Sequence, residues 1–278
     1  MKLGLIDYYL DEYHANEYPA WIKEASEGTI EAAYAYAEID SPIGGRTTDK
    51  WCADMGIKRI ASIEEIVEKS DALIVLSPDN PERHEDLCLL PLQSGKRVYI
   101  DKTFAETKAQ ALRIFENADK HNTPCYTASA LRFAKEYQGI DLAKIENITS
   151  IGPGTLKDYA IHQLEPIIMM MGPNVARVQY SGTTKWPAYI LEWQDGRRAN
   201  LSHHGWGCPF AMSIDFADNT SNFVTIESDF YKFFIADLVD FFNTGAVKVP
   251  HEDTIAVIAA REAVIKASGK PGIWEELL

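Results

Sequence analysis

Five short apolar runs in the first 130 residues constrain the fold of this chain more than any other feature. They lie at 2–6, 30–38 (IEAAYAYAE), 71–76 (DALIVL), 97–100 (RVYI) and 124–128 (PCYTA). A strand with one wet face alternates apolar and polar residues, whereas continuous runs of this length suit strands buried on both faces of a parallel sheet. The segments between them carry helix-start chemistry. Ser62 precedes IEEIVEKS with Glu65 three residues on, and Thr107 precedes KAQALRIFENADKH with Gln110 in the same relation. Gly95 closes a helix that starts near Pro81. Strand–helix alternation with short right-handed connections makes a doubly wound parallel sheet.

The rhythm changes near residue 129, which sets two expected domains, 1–128 and 129–278. The first is α/β and Rossmann-like. The second opens with helical stretches at 132–143 and 160–171, continues with strand-like segments at 175–181, 187–193, 197–203, 210–216 and 222–227, and ends in helices at 229–243 and 251–268. Asp195-Gly196 between two of those segments is a two-residue hairpin signal. Grouped helices and hairpin-linked strands imply an α+β domain with a mostly antiparallel open sheet.

Composition narrows the function classes. With 46% hydrophobic and 24% charged residues the chain reads as globular, and a formal net charge of −14 offers no basic face to nucleic acid. No run approaches the roughly 18 apolar residues of a membrane span. Asp7, Asp11 and Glu12 stand where a secretion signal needs an apolar core, and Cys52, Cys88, Cys125 and Cys208 form no CxxC pair. Both features point to a cytoplasmic protein with reduced thiols. The adjacent His203 and His204 point to opposite faces of a strand, so no metal site is expected.

Ligands of an open parallel sheet bind beyond the carboxyl ends of its strands. That rule selects Asp7, Tyr8 and Tyr9 after the first run, Glu38, Asp40 and Arg46 after the second, Ser77, Pro78 and His84 after the third, and Asp101 and Lys102 after the fourth. An acid after the second strand suits a ribose diol, while Arg46 suits a 2′-phosphate, so both NAD and NADP stay open. In the second domain Asp158 and His162, four residues apart at a helix start, can face one side as a proton-transfer pair.

Three blocks in order give the chain a family likeness: SDALIVLSPDNPERHEDLCLLPLQSGKRVYIDKTFAETKAQALRIFENADKHNTPCYTASALRF (70–133), GTLKDYAIHQLEPIIMMMGP (154–173), and FYKFFIADLVDFFNTG followed by HEDTIAVIAAREAVIKASGKP. It resembles the glucose–fructose oxidoreductase, inositol dehydrogenase and MocA-like (Gfo/Idh/MocA) family. The resemblance implies an NAD(P)-dependent oxidoreductase that moves a hydride to or from a sugar, polyol or related hydroxy compound. It also implies a homodimer or homotetramer built through the second-domain sheet. By the same resemblance Lys102 falls on the lysine of the family's Glu-Lys-Pro motif, a proton-transfer or substrate-binding group. Asp158 and His162 fall on residues facing substrate and nicotinamide. His84 matches a histidine after the third strand, and His14 one that opens the first helix.

The chain also departs from that pattern. Asp7-Tyr8-Tyr9-Leu10-Asp11-Glu12 replaces the glycine-rich turn, Thr103 stands at the motif proline, the loop 77–84 is longer, and the whole chain is shorter. Glycines in that turn let backbone approach a pyrophosphate. A like-charge contact at 4 Å instead costs about 1 kcal/mol in water and about 4 kcal/mol at an effective dielectric of about 20. The acidic turn therefore favours an alternative: a non-catalytic ligand-binding or regulatory relative that keeps the fold without dinucleotide binding.

Overall fold

The apolar runs pair into one wholly parallel sheet. In a computed structural model that describes residues 1–277, its strands are β1 (Lys2–Asp7), β2 (Glu31–Ala37), β3 (Lys58–Arg59), β4 (Ala72–Val75), β5 (Val98–Ile100) and β6 (Cys125–Tyr126), ordered β3-β2-β1-β4-β5-β6. Helices α1 (Tyr13–Ala25), α2 (Thr48–Met55), α3 (Ile63–Lys69), α4 (His84–Gln93) and α5 (Lys108–Lys120) connect them. This is the Rossmann strand order, and its reversal between β1 and β4 opens the crevice where such sheets take ligands. Leu3, Leu5, Ile6, all of β4 and all of β5 are buried, as two-sided burial requires. The caps form as the sequence implies: Ser62 Oγ accepts from Glu65 N and Thr107 Oγ1 from Gln110 N.

The chain divides into two compact units, one of Met1–Ala128 with Phe234–His251, the other of Ser129–Phe233 with Glu252–Leu278. Residues 234–251 belong to the first because aromatic rings hold them there. Phe234 lies 5.8 Å from Tyr18 and 5.5 Å from Tyr99, and Phe241 lies 4.9 Å from Tyr126, centroid to centroid. The Tyr126 hydroxyl also donates to Asp237 at 3.1 Å, and Arg97 donates to the Phe242 carbonyl.

The second unit is a mixed, mostly antiparallel sheet with helices. Its elements are β7 (Ile145–Pro153), α6 (Leu156–Met171), β8 (Val175–Tyr180), β9 (Ala188–Trp193), β10 (Arg198–His204), β11 (Ala211–Phe216), β12 (Ser221–Thr225), the start of α7 (Phe230–Thr244), α8 (His251–Ala267) from Glu252 onward, and β13 (Trp274–Glu276). The order is β12-β11-β7-β10-β9-β8-β13, and only the β7–β10 pairing is parallel. Gly196, at φ +89, makes the β9–β10 turn. Gln163 of α6 bridges two of these strands, accepting from Ser150 Oγ at 2.8 Å and donating to the Ser202 carbonyl at 3.2 Å. Among the described residues no helix is long and apolar enough to cross a membrane.

Two sequence expectations need correction here. The helix expected over 132–143 is instead three short 3₁₀ turns at 130–133, 135–137 and 142–144. Gly139 at φ +78 interrupts the stretch, and the Glu136 carboxylate is drawn away to Ser228 N and Oγ at 2.7 and 2.6 Å. The central strand β7 was not anticipated at all. Its buried positions Ile145, Ile148, Ser150 and Gly152 are diluted by polar and small residues, so it shows no apolar run.

A buried ion network ties the last part of the chain into this unit. Arg132 donates to Asp253 of α8 at 2.6 Å and to Glu165 of α6 at 3.4 Å, with all three side chains largely out of solvent. Burial pushes the Glu165 carboxyl up to about 6 against the pull of Arg132. Removing one partner of such a group leaves uncompensated buried charge. Arg132→Met should cost about 3–5 kcal/mol, read as a lowered urea midpoint with an unchanged slope.

Candidate functional site

The first βα turn is closed by its own side chains. Glu12 is the N-cap of α1, and its carboxylate accepts from His14 N at 2.7 Å and from Ala15 N. Leu10 is buried beneath the turn, and Asp11 accepts from Arg46 N at 2.6 Å and from its Nη2 at 2.7 Å. Asp7, at the end of β1, is 1% exposed; Tyr8 N donates to its Oδ1 at 2.7 Å, and its buried Oδ2 meets no donor among the described residues. Burial, and next the charge of Glu12, hold the Asp7 carboxyl well above the ordinary range.

The residues expected to grip a nucleotide elsewhere are already paired. Glu38 receives both prongs of Arg83 at 3.0 and 2.8 Å, leaving little for a ribose diol. Arg46, the 2′-phosphate candidate, is held by Asp11 and by Asn16 at 2.6 Å. Asp40 accepts from Thr48 N at 2.7 Å at the start of α2, and the Tyr9 hydroxyl donates to Asp79 at 3.2 Å. The Arg83 guanidinium lies over the Tyr8 ring, 5.7 Å from its centroid. Ser77 sits at φ +82, a conformation costing a non-glycine residue about 1–3 kcal/mol, and its hydroxyl donates to the Asn80 carbonyl; Pro78 follows it in the same loop. His84 corrects the sequence reading: it is fully buried, with Nδ1 3.0 Å from the Phe104 carbonyl and Nε2 against the Leu76 carbonyl. Both ring nitrogens are thus engaged by main-chain carbonyls.

At the end of β5, Asp101 is fully buried and pairs with His14 Nδ1. It also accepts from Lys102 N at 2.8 Å and from the Tyr99 hydroxyl at 3.3 Å. Burial pushes its carboxyl up, but His14 and Lys102 outweigh that and hold it below the usual value. The His14 ring stacks on Tyr18 at 4.7 Å. Lys102 follows directly, and the Lys102–Thr103 peptide is cis.

The second unit carries its own cluster. His162 Nδ1 lies 2.7 Å from Ser129 Oγ, while Asp158 is held by Thr155, whose hydroxyl donates to Asp158 Oδ2 at 2.8 Å. Ser129 is thus a hydrogen-bond partner of His162, and Thr155 one of Asp158. A side chain in the first helical turn is captured more cheaply by its own N-cap threonine than by a neighbour one turn on. Ser129 lies 33 residues from His162, and no spacing rule could have found it. Tyr159 lies 5.2 Å from His162, Trp206 lies 5.0 Å from Tyr159, and Phe210 lies 6.0 Å from His162; Trp206 is 68% exposed.

Residues 23–129 match the family model described as oxidoreductase family, NAD-binding Rossmann fold (GFO_IDH_MocA). Over those residues the chain is similar to the Gfo/Idh/MocA family. The match begins past the first turn, where the sequence departs from the family. Solved structures share the fold across the whole length. A probable dehydrogenase from Thermotoga maritima is 14% identical at a TM-score of 0.80, covering 100% of this chain and 99% of that one. The apo scyllo-inositol dehydrogenase of Lactobacillus casei is 15% identical at 0.79, covering 99% and 98%. GenD2 from gentamicin A biosynthesis, solved with NAD, is 13% identical at 0.77, covering 99% and 96%. No curated protein matches the sequence.

The family's nucleotide does not fit the first turn as it stands. The α1 amides that would face a pyrophosphate already hold a carboxylate, and Asp7 and Asp101 are buried in the same unit, bearing on Glu12 and on one another. Burial pushes the Glu12 carboxyl up to about 7, with His14 pulling it down and Asp101 pushing it further. The folded chain thus keeps a proton that the unfolded chain, at the ordinary 4.5, has released. Stability should fall as pH rises from about 5 to about 7, by at most about 3 kcal/mol, and level off above. Urea midpoints across that interval should show the slope in the native chain and a flatter one in Glu12→Gln.

Proposed function

We propose that this chain is an oxidoreductase acting on a sugar, polyol or related hydroxy compound. The observation that carries the reading is the Ser129–His162 pair ringed by Tyr159, Trp206 and Phe210. A polyhydroxylated molecule presents apolar C–H faces to aromatic rings and hydroxyls to a positioned imidazole. The tautomer of His162 is linked to Ser129. When His162 donates from Nδ1 to the serine oxygen, Nε2 carries the lone pair and accepts a proton from a substrate hydroxyl. The imidazolium so formed keeps its Nδ1–H on the serine oxygen and gives the Nε2 proton back to the substrate oxygen in the reverse direction. Asp158, held at the start of the same helix, is proposed to bind substrate hydroxyls.

In the first unit Lys102 is proposed to hold a substrate oxygen, its backbone fixed by the buried Asp101–His14 pair. Alcohol oxidation also needs a hydride acceptor. NAD or NADP, the family's own, would have to be held without the α1 amides.

One observation favours a second reading, a ligand-binding relative without turnover: Glu12, Arg46 and Glu38 are each engaged inside the protein. Turnover of a panel of sugars and polyols with each nucleotide separates the two. The oxidoreductase reading expects activity that Lys102→Ala and His162→Ala each cut by at least about a hundredfold. If sugars raise the melting temperature of the native chain while neither nucleotide supports turnover, the second reading holds.

A further inference from the structure

We propose that Glu12 is a resident stand-in for a phosphate group, and that it is the residue that keeps the phosphates of a dinucleotide off the α1 amides. The geometry is that of a bound anion. Helix α1 runs for 13 residues, and its exposed amides are the partners a phosphate would take. Here the carboxylate of Glu12 accepts from His14 N and Ala15 N, so the helix end is satisfied from within. An arriving pyrophosphate would have to displace a carboxylate tethered to the helix it seeks from the His14 and Ala15 amides.

Two further groups reinforce the exclusion. Asp7 precedes the turn with a buried oxygen that meets no donor among the described residues, so an entering phosphate would face an uncompensated acid. Asp11 is locked to Arg46 through three hydrogen bonds, which engages that guanidinium within the protein. The turn is thus neither an unoccupied glycine loop nor a disordered one. It is a completed acceptor site whose carboxyl oxygens belong to the protein. A ligand of the crevice is then expected to be neutral or cationic where relatives of this fold place phosphate.

The inference stands on the first unit alone and does not depend on the activity proposed above. The experiment is a titration of the full chain and of Glu12→Gly with NADH, followed by nicotinamide fluorescence and by amide NMR shifts, with inorganic pyrophosphate as competitor. Glycine is tolerated at an N-cap, so the variant keeps its helix and frees the amides. At pH 8, above the value of about 7 to which burial raises Glu12, NADH should leave the His14 and Ala15 amides of the native chain unshifted, while Glu12→Gly should bind NADH at least about tenfold tighter than the native chain, shift those amides and lose that gain to pyrophosphate.

The proposal is overturned if the native chain binds NADH at micromolar concentration with shifts at those amides. It is equally overturned if Glu12→Gly and Glu12→Ser, both folded by their thermal melts, bind no tighter than the native chain. Should neither variant fold, the amide shifts of the native chain decide alone. Binding that shifts the His14 and Ala15 amides of the native chain would remove this inference and leave the oxidoreductase reading standing, whereas absence of turnover would do the reverse.

Discussion

Burying several acids beside one helix end is the constraint around which the first unit is arranged. Asp7, Glu12 and Asp101 are all withdrawn from water, and a carboxylate in that position must be hydrogen-bonded, paired or protonated. Each of the three takes a different route. Asp101 takes a histidine, a lysine amide and a tyrosine hydroxyl; Glu12 takes the amides of the helix it begins; Asp7 keeps one oxygen on Tyr8 N, and burial pushes its carboxyl well above the ordinary range. The positions of His14, Tyr99 and α1 follow from those answers. A glycine turn would need none of them, and the tyrosines and leucine that fill the loop would then have no acids to enclose.

Both units use the same logic at their other ends. Arg132 joins two buried carboxylates from helices far apart in sequence, as His14 joins to Asp101 from across 87 residues. Such pairs contribute little net stability compared with apolar contacts of the same size, but breaking one is costly, so they fix which segments belong together. That is how α6 and α8 are held in one unit, and how α1 is held against the end of β5.

The parallel sheet was legible because two-sided burial leaves long apolar runs, and its helices because Ser62 and Thr107 announce their starts. The strand β7 was not, since Ser150 and Gly152 occupy buried positions that an apolar count ignores. At the site, single residues were legible by type and strand-end position, but their partnerships were not. Glu38 with Arg83 and Arg46 with Asp11 each join turns 35 or more residues apart, and the partner decides whether a charged residue is available to a ligand. His84 shows the same limit: its neighbours are main-chain carbonyls, which leave no trace in residue identity. The acidic first turn was visible as a departure, and the capping of α1 gives that departure its physical meaning.

The interleaving of the two units bears on how the chain comes off the ribosome. When residue 128 has emerged, every strand of the parallel sheet exists, yet the faces of Tyr18, Tyr99 and Tyr126 still lack Phe234 and Phe241. Those rings arrive only after about another hundred residues, all belonging to the other unit, have been translated. At roughly 5–20 residues per second the nascent sheet therefore waits several seconds with an aromatic face uncovered. The buried acids of the first turn are complete by residue 101, long before that face is covered. In this protein the first-turn end of the parallel sheet is finished during synthesis ahead of the aromatic face that Phe234 and Phe241 cover.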